Sequence, residues 1–201
     1  MSEKRLGGLI IVGLTGFVGF GITLVSLPFL FPAFRRVCLP FLPATKRQLD
    51  LVFTHLNGRK GKLVDLGSGD GRIVIEAAKR GLLAEGIELN PWLVLYSRAK
   101  ALTNGVSGNT KFKCQDLWKV NLSPYNNIVI FGVDSMMAQL EEKLATELVD
   151  GSWVIACRFP LPSWKPVSIT EAGVDSVWVY ERGISDARST NSQRNVDNKS
   201  Q

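Results

Sequence analysis

The stretch Val64-Asp65-Leu66-Gly67-Ser68-Gly69-Asp70-Gly71-Arg72 decides how the rest of this 201-residue chain is read. An apolar run, Lys62–Leu66, enters it as a strand, and the periodic run that follows leaves it as a helix reaching Arg80. Glycines 67, 69 and 71 permit a tight turn and let a ligand touch backbone, and the helix beginning there presents unpaired N–H groups. A dinucleotide reader uses the spacing G-x-G-x-x-G, but Arg72 occupies the last position of that pattern. A P-loop needs Gly-Lys-Ser/Thr, which does not follow. Ser68 is not a hydrolase nucleophile, since its frame is not G-x-S-x-G and the only histidine, His55, lies upstream. What remains is Asp-x-Gly-x-Gly-x-Gly, with Asp65 placed to meet a cationic or hydroxyl-bearing ligand beside the glycines.

Outward from this turn, strand-like runs alternate with helical ones. Leu83–Glu88 precedes a helix over Pro91–Asn104, Thr110–Cys114 stands alone, Asn127–Gly132 precedes Ser135–Asp150, and Trp153–Arg158 follows. This alternation predicts an α/β domain, a parallel sheet with helices on both faces. Val167–Thr170 and Val174–Tyr180, joined through Glu-Ala-Gly, are expected as a closing antiparallel hairpin. Before the glycine turn, Thr45 and Gln48 have capping-box spacing, Leu49, Val52, Phe53 and Leu56 follow at helical intervals, and Asn57-Gly58 stops the helix. His55 reads as a boundary residue of that helix. No internal repeat is visible.

Two more acids fall at strand ends. Glu88 closes the second strand, where a carboxylate accepts hydrogen bonds from both hydroxyls of a ribose. Asp116 follows the third strand and is placed to accept from an adenine amino group. Ligands of such sheets bind at the carboxyl ends of the strands. The set describes S-adenosylmethionine: aminoacyl sulfonium by the glycine turn, ribose at Glu88, adenine at Asp116.

Charge is unevenly placed. The net charge is +6, and residues 1–47 hold Lys4, Arg5, Arg35, Arg36, Lys46 and Arg47 against Glu3 alone. Such an arrangement favours an anionic membrane surface over nucleic acid, whose basic footprint belongs on the folded domain. Leu6 to Phe34 carries no charge, and a helix over Leu6–Leu27 would run about 33 Å, enough for a hydrocarbon core, before Pro28 and Pro32. A membrane helix is therefore expected, with the more cationic carboxyl side, residues 35–201, in the cytosol or mitochondrial matrix. Cys38, Cys114 and Cys157 are odd in number and form no Cys-x-x-Cys pair, which argues for free thiols in a reducing compartment and against a zinc site. The expected organisation is a hydrophobic segment at 1–34, a proline-punctuated connector and leading helix at 35–60, the main domain at 61–182, and a disordered tail at 183–201 rich in Ser, Asn, Arg and Asp.

The chain resembles class I methyltransferases, and in particular the mitochondrial protein-lysine methyltransferases that modify the ATP synthase c-subunit or the adenine nucleotide translocase. The residues that carry the resemblance are Arg35–Ala44, Val64–Arg72, Glu88-Leu89-Asn90-Pro91-Trp92, Asp116–Val120, Ile130–Val133 and Ala156–Pro160. It spans about residues 15–182. The glycine motif alone says methyltransferase; the connector and the Asn-Pro-Trp block are more specific, and the arrangement is closer to the c-subunit enzymes. The resemblance implies a seven-strand, Rossmann-like, S-adenosylmethionine-dependent fold with an N-terminal hydrophobic membrane helix. It also implies placement at the mitochondrial inner membrane facing the matrix, and a membrane-protein lysine as acceptor, with lipid contact through residues 6–34. The chain starts almost directly at the hydrophobic segment, so a longer targeting sequence is expected to be absent.

The expected cofactor set is Asp65, Gly67, Ser68, Gly69, Gly71, Glu88, Asn90 and Asp116. Phe131, Gly132, Arg158, Phe159 and Trp164 are expected to line a lysine channel. Methyl transfer to a neutral amine needs orientation and a path for proton loss, and no metal. The fourth strand ends in Phe131-Gly132-Val133-Asp134, without the Asn/Asp-Pro-Pro-Tyr motif of nucleic-acid amino methyltransferases, so no nucleic-acid partner is expected.

Overall fold

Contacts divide the chain into two units, Met1–Cys38 and Leu39–Gln201. The computed structural model describes residues 3–30 and 44–185. The connector 35–43 with Cys38, and the expected disordered tail from residue 186 onward, lie outside the described residues.

The first unit contains helix α1, Glu3–Leu30. Its charges are confined to Glu3, Lys4 and Arg5, and the hydroxyls of Thr15 and Thr23 donate back to the carbonyls of Ile11 and Gly19. The helix runs through Pro28 to Leu30, past the expected stop, although proline removes one backbone donor there. Among the described residues no helix is long and apolar enough to cross a membrane. The expectation of a membrane helix is corrected to that extent: the sequence run does form a helix, Glu3–Leu30, but no membrane span is found among the described residues.

The second unit opens with α2, Lys46–His55, started by the expected capping box: Gln48 N donates to Thr45 Oγ1 and Thr45 N to Gln48 Oε1. His55 Nε2 meets Thr170 Oγ1 at 3.1 Å, a boundary contact. The elements β1 (Lys62–Leu66), α3 (Arg72–Lys79), β2 (Leu83–Glu88), α4 (Pro91–Thr103), β3 (Thr110–Cys114), β4 (Asn127–Phe131), α5 (Asp134–Glu147), β5 (Trp153–Cys157), β6 (Ser168–Thr170) and β7 (Val177–Glu181) follow. They build one seven-stranded sheet in the order β3-β2-β1-β4-β5-β7-β6. The first five strands are parallel, and β7 runs antiparallel between β5 and β6. Strands β1, β4 and β5 are buried almost end to end, which is why they read as continuous apolar runs.

The pleat sorts the core. Leu63, Ala84, Phe112, Val129, Ile155 and Val179 join Val52 and Phe53 of α2, Val74 of α3 and Val94 of α4 in one cluster. The alternate strand residues Val64, Leu66, Ile128, Ile130, Val154 and Ala156 are also fully buried and point to the opposite face. The expected hairpin forms, but β7 begins at Val177, three residues later than the apolar run suggests. Gly173 takes φ +59°, and Ser176 Oγ donates to Gly173 O and accepts from Ala172 N, closing a short turn over Gly173–Asp175.

Candidate active site

The sheet order reverses at β1, whose neighbours are β2 and β4, and the glycine turn leaves the carboxyl end of β1 at that crevice. Gly67 N and Ser68 N both donate to Ile87 O at 2.9 Å, folding the turn over the end of β2. Gly67, Gly69 and Gly71 take φ of +81°, +51° and +75°, a backbone that side chains oppose. At Gly71 a Cβ would also lie 2.7 Å from the Phe112 ring and 2.8 Å from Ser97, so this glycine serves helix packing in addition to turn geometry. Gly86, on β2, has no room for a Cβ because Ser68 Oγ would lie 2.6 Å away.

The acids have distinct surroundings. Both oxygens of Glu88 are aimed by backbone donors, Oε2 accepting from Gly69 N at 3.0 Å and Oε1 from Asn90 N at 2.9 Å, and each keeps capacity for a further donor. Asp65 is 3% exposed, and its Oδ1 has no partner; Ser68 Oγ is likewise buried and unpartnered. Burial first, then the charges of Glu88 and Asp70, push the Asp65 carboxyl up to about 8. Orphaned buried polar atoms are rare and costly, and two beside one glycine turn mark a place for a polar, cationic ligand. These groups fit the aminoacyl end of S-adenosylmethionine, and Glu88 fits its ribose. Asp70 is opposed by burial, but hydrogen bonds and charge from Arg72 and Lys100 hold its carboxyl below the ordinary value. Arg72 grips Asp70 through Nε and Nη2 at 2.9 Å and reaches back to Ala44 O.

Asn90 and Asp116 each cap the element that follows. Asn90 Oδ1 accepts from Trp92 N and caps α4, while Asp116 Oδ1 accepts from Trp118 N and caps the turn Leu117–Lys119. Both remain at the carboxyl edge, where Gln115 N pairs with Glu88 O. Of the channel residues, Phe131 ends β4, and Gly132 is buried against Met137, whose Sδ lies 2.6 Å from where a Cβ would be. Arg158 follows β5 with φ +75°, the one described non-glycine residue in the left-handed region. Phe159 is half-buried beside it. Trp164 is 5% exposed, with its ring edge-on to Tyr180.

Sequence reading misses three supports of the site. Ser97, fully buried, donates to Gly69 O at 3.1 Å and ties the glycine turn to α4; its spacing with Val94 and Ala101 on one helix face was the available signal. Glu141 of α5 accepts from Ser163 N and Trp164 N, and Tyr180 Oη accepts from Leu161 N. Together they pin the segment that follows Arg158 and Phe159. No local pattern marks these long-range bonds.

Comparison with known proteins agrees with this geometry. A family profile described as the ANTKMT methyltransferase domain matches residues 65–168, and one described as the N-terminal domain of the ATP synthase c-subunit lysine N-methyltransferase matches residues 3–35. The Homo sapiens ATP synthase c-subunit lysine N-methyltransferase is 54% identical over 179 residues, covering 89% of this chain and 77% of the relative. The Mus musculus adenine nucleotide translocase lysine N-methyltransferase is 45% identical over 186 residues, covering 90% and 81%. Among solved structures, an RNA methyltransferase from Salinibacter ruber in complex with S-adenosyl-L-homocysteine superposes with a TM-score of 0.66 at 30% identity, covering 70% of this chain and 93% of that one.

Proposed function

The chain belongs to the S-adenosylmethionine-dependent lysine N-methyltransferase family of the ATP synthase c-subunit and adenine nucleotide translocase enzymes, and we propose that it methylates a lysine of the ATP synthase c-subunit. The observation that carries the reading is the pairing of Asp65 and Ser68, buried without partners, with a Glu88 carboxylate aimed by Gly69 and Asn90. When bound, the cofactor supplies an electrophilic methyl on a cationic sulfur. Asp65 balances the positive aminoacyl end, the glycine turn lets it approach backbone, and Glu88 fixes the ribose hydroxyls. Gly67, Ser68, Gly69 and Gly71 shape the cradle, and Asn90 and Asp116 hold the edge around the nucleoside. Phe131, Gly132, Arg158 and Phe159 border the path by which the acceptor lysine enters, where its ammonium group gives one proton to solvent and the resulting neutral amine stands in line with the methyl.

The substrate choice follows the higher identity to the c-subunit enzymes and the match of residues 3–35 to their N-terminal domain. Membrane association through residues 6–34 is part of the proposal, supported by α1 and by the absence of charge from Leu6 to Leu30. So is a mitochondrial inner-membrane location with the domain in the matrix, where its substrate would meet it, and so are the domain limits 35–60 and 61–182. The acceptor is a protein lysine; no nucleic acid is needed.

Radiolabelled methyl transfer from S-adenosylmethionine into solubilised mitochondrial membranes tests this, comparing wild type with Glu88→Ala and Asp65→Ala. A labelled c-subunit, with the label lost in both variants, is expected. Label in the translocase alone would redirect the substrate, and label in RNA would overturn it.

A further inference from the structure

The Asn-Pro-Trp block of α4 is only partly explained by the site. Asn90 caps the helix and Pro91 fills its first turn, but Trp92 does neither. It opens an outward face with Leu95, Tyr96 and Leu102, at helical spacing and 39%, 56%, 54% and 69% exposed, while Val94, Ser97 and Ala101 face the core. Apolar residues therefore cover both sides of α4. A helix of a free-standing soluble domain keeps its outer face polar.

Charge says what covers this face. Neither α4 nor the neighbouring edge strand β3 contains an acid, while they carry Arg98, Lys100, Lys111 and Lys113. Lys100 pairs with Asp70 and Lys113 with Glu85, whose charge Lys111 also feels, and Arg98 donates to the Phe112 carbonyl. A groove of about 470 Å³ between the helix and the strand is lined by Arg98, Lys111, Lys113 and Phe112. Trp, Tyr and Leu on one helical face, flanked by four cations with no acid on the same two elements, is the composition that settles at the interface of an anionic bilayer. A second copy of this face would oppose cations to cations.

We propose that the outward face of α4, with the basic edge of β3, rests on the surface of an anionic lipid bilayer. This rests on the methyltransferase reading for its consequence: α4 starts beside Glu88, so the contact brings the cofactor mouth to the membrane surface, within reach of a lysine at the headgroup level. It is distinct from α1, since it concerns the orientation of the catalytic domain and not its tether.

The test uses the full chain reconstituted into vesicles of phosphatidylcholine and phosphatidylglycerol with brominated acyl chains, and reads tryptophan quenching. Wild type is expected to be quenched, and Trp92→Phe to lose that component while the other four tryptophans keep their emission. Leu95→Glu and Tyr96→Glu should raise KM several-fold for an acceptor in these vesicles with cofactor affinity unchanged. Equal quenching of wild type and Trp92→Phe would overturn the proposal. So would an oligomer that Leu95→Glu dissociates, or quenching that persists unchanged in both glutamate variants. Absence of methyl transfer with the Trp92 quenching retained would sink the functional reading and leave the membrane face standing.

Discussion

Asp65 sits in a place that suits it only when a cation arrives. Buried and held up to about 8, against an ordinary value of 3.8, it keeps a proton in the cofactor-free protein that the unfolded chain gives up near pH 4. Because its folded value is raised, its contribution to stability is full below about 4 and is lost as pH rises through about 8. A cationic ligand reverses this preference, so binding of S-adenosylmethionine below pH 8 should release about one proton. Calorimetric titration at pH 7 in buffers of different ionisation enthalpy is expected to show that release in wild type and not in Asp65→Asn; a buffer-independent wild-type enthalpy would contradict the assignment. Gly71 gives a second residue-scale test. Gly71→Ala forces a side chain into the left-handed region and against Phe112, and should cost about 1–3 kcal/mol in denaturant unfolding. Both positions are legible in the sequence, because a glycine series after a strand with an acid at its head has few uses besides holding a ligand. Gly86 and Ser97 are not, since their roles depend on what the register and the helix packing place opposite them.

The strands and helices of the second unit fall close to where periodicity and caps put them, from the Thr45–Gln48 box to the Asn-Pro start of α4. Differences arise where long-range contacts act. The start of β7 yields to the Ser176 turn, and Trp164, an aromatic near a strand end, turns inward because Tyr180 and the Glu141 bonds hold its segment against the sheet. That segment supplies an element-scale test. Glu141→Gln keeps the size but weakens the bonds to Ser163 and Trp164, freeing the stretch after Arg158. KM for the acceptor should rise by about tenfold, consistent with loss of about 1–2 kcal/mol from charged hydrogen bonds, while cofactor affinity holds. A parallel loss of cofactor affinity would place the effect in the sheet instead.

At the scale of the whole molecule, an uncharged helical run and an α/β enzyme domain share one chain, and each addresses a different part of the task. The charge imbalance of the first 47 residues and the length of the uncharged run point to a membrane in the sequence alone. The outward face of α4 is not legible there, because it is defined only once Val94, Ser97 and Ala101 are known to face inward. Whether this protein is the lysine methyltransferase proposed is decided by intact-mass spectrometry of purified ATP synthase c-subunit after incubation with it and S-adenosylmethionine. Mass increments of whole methyl groups on a single lysine, absent with Glu88→Ala, are expected; an unmodified acceptor in the presence of enzyme shown to bind the cofactor would refute the assignment.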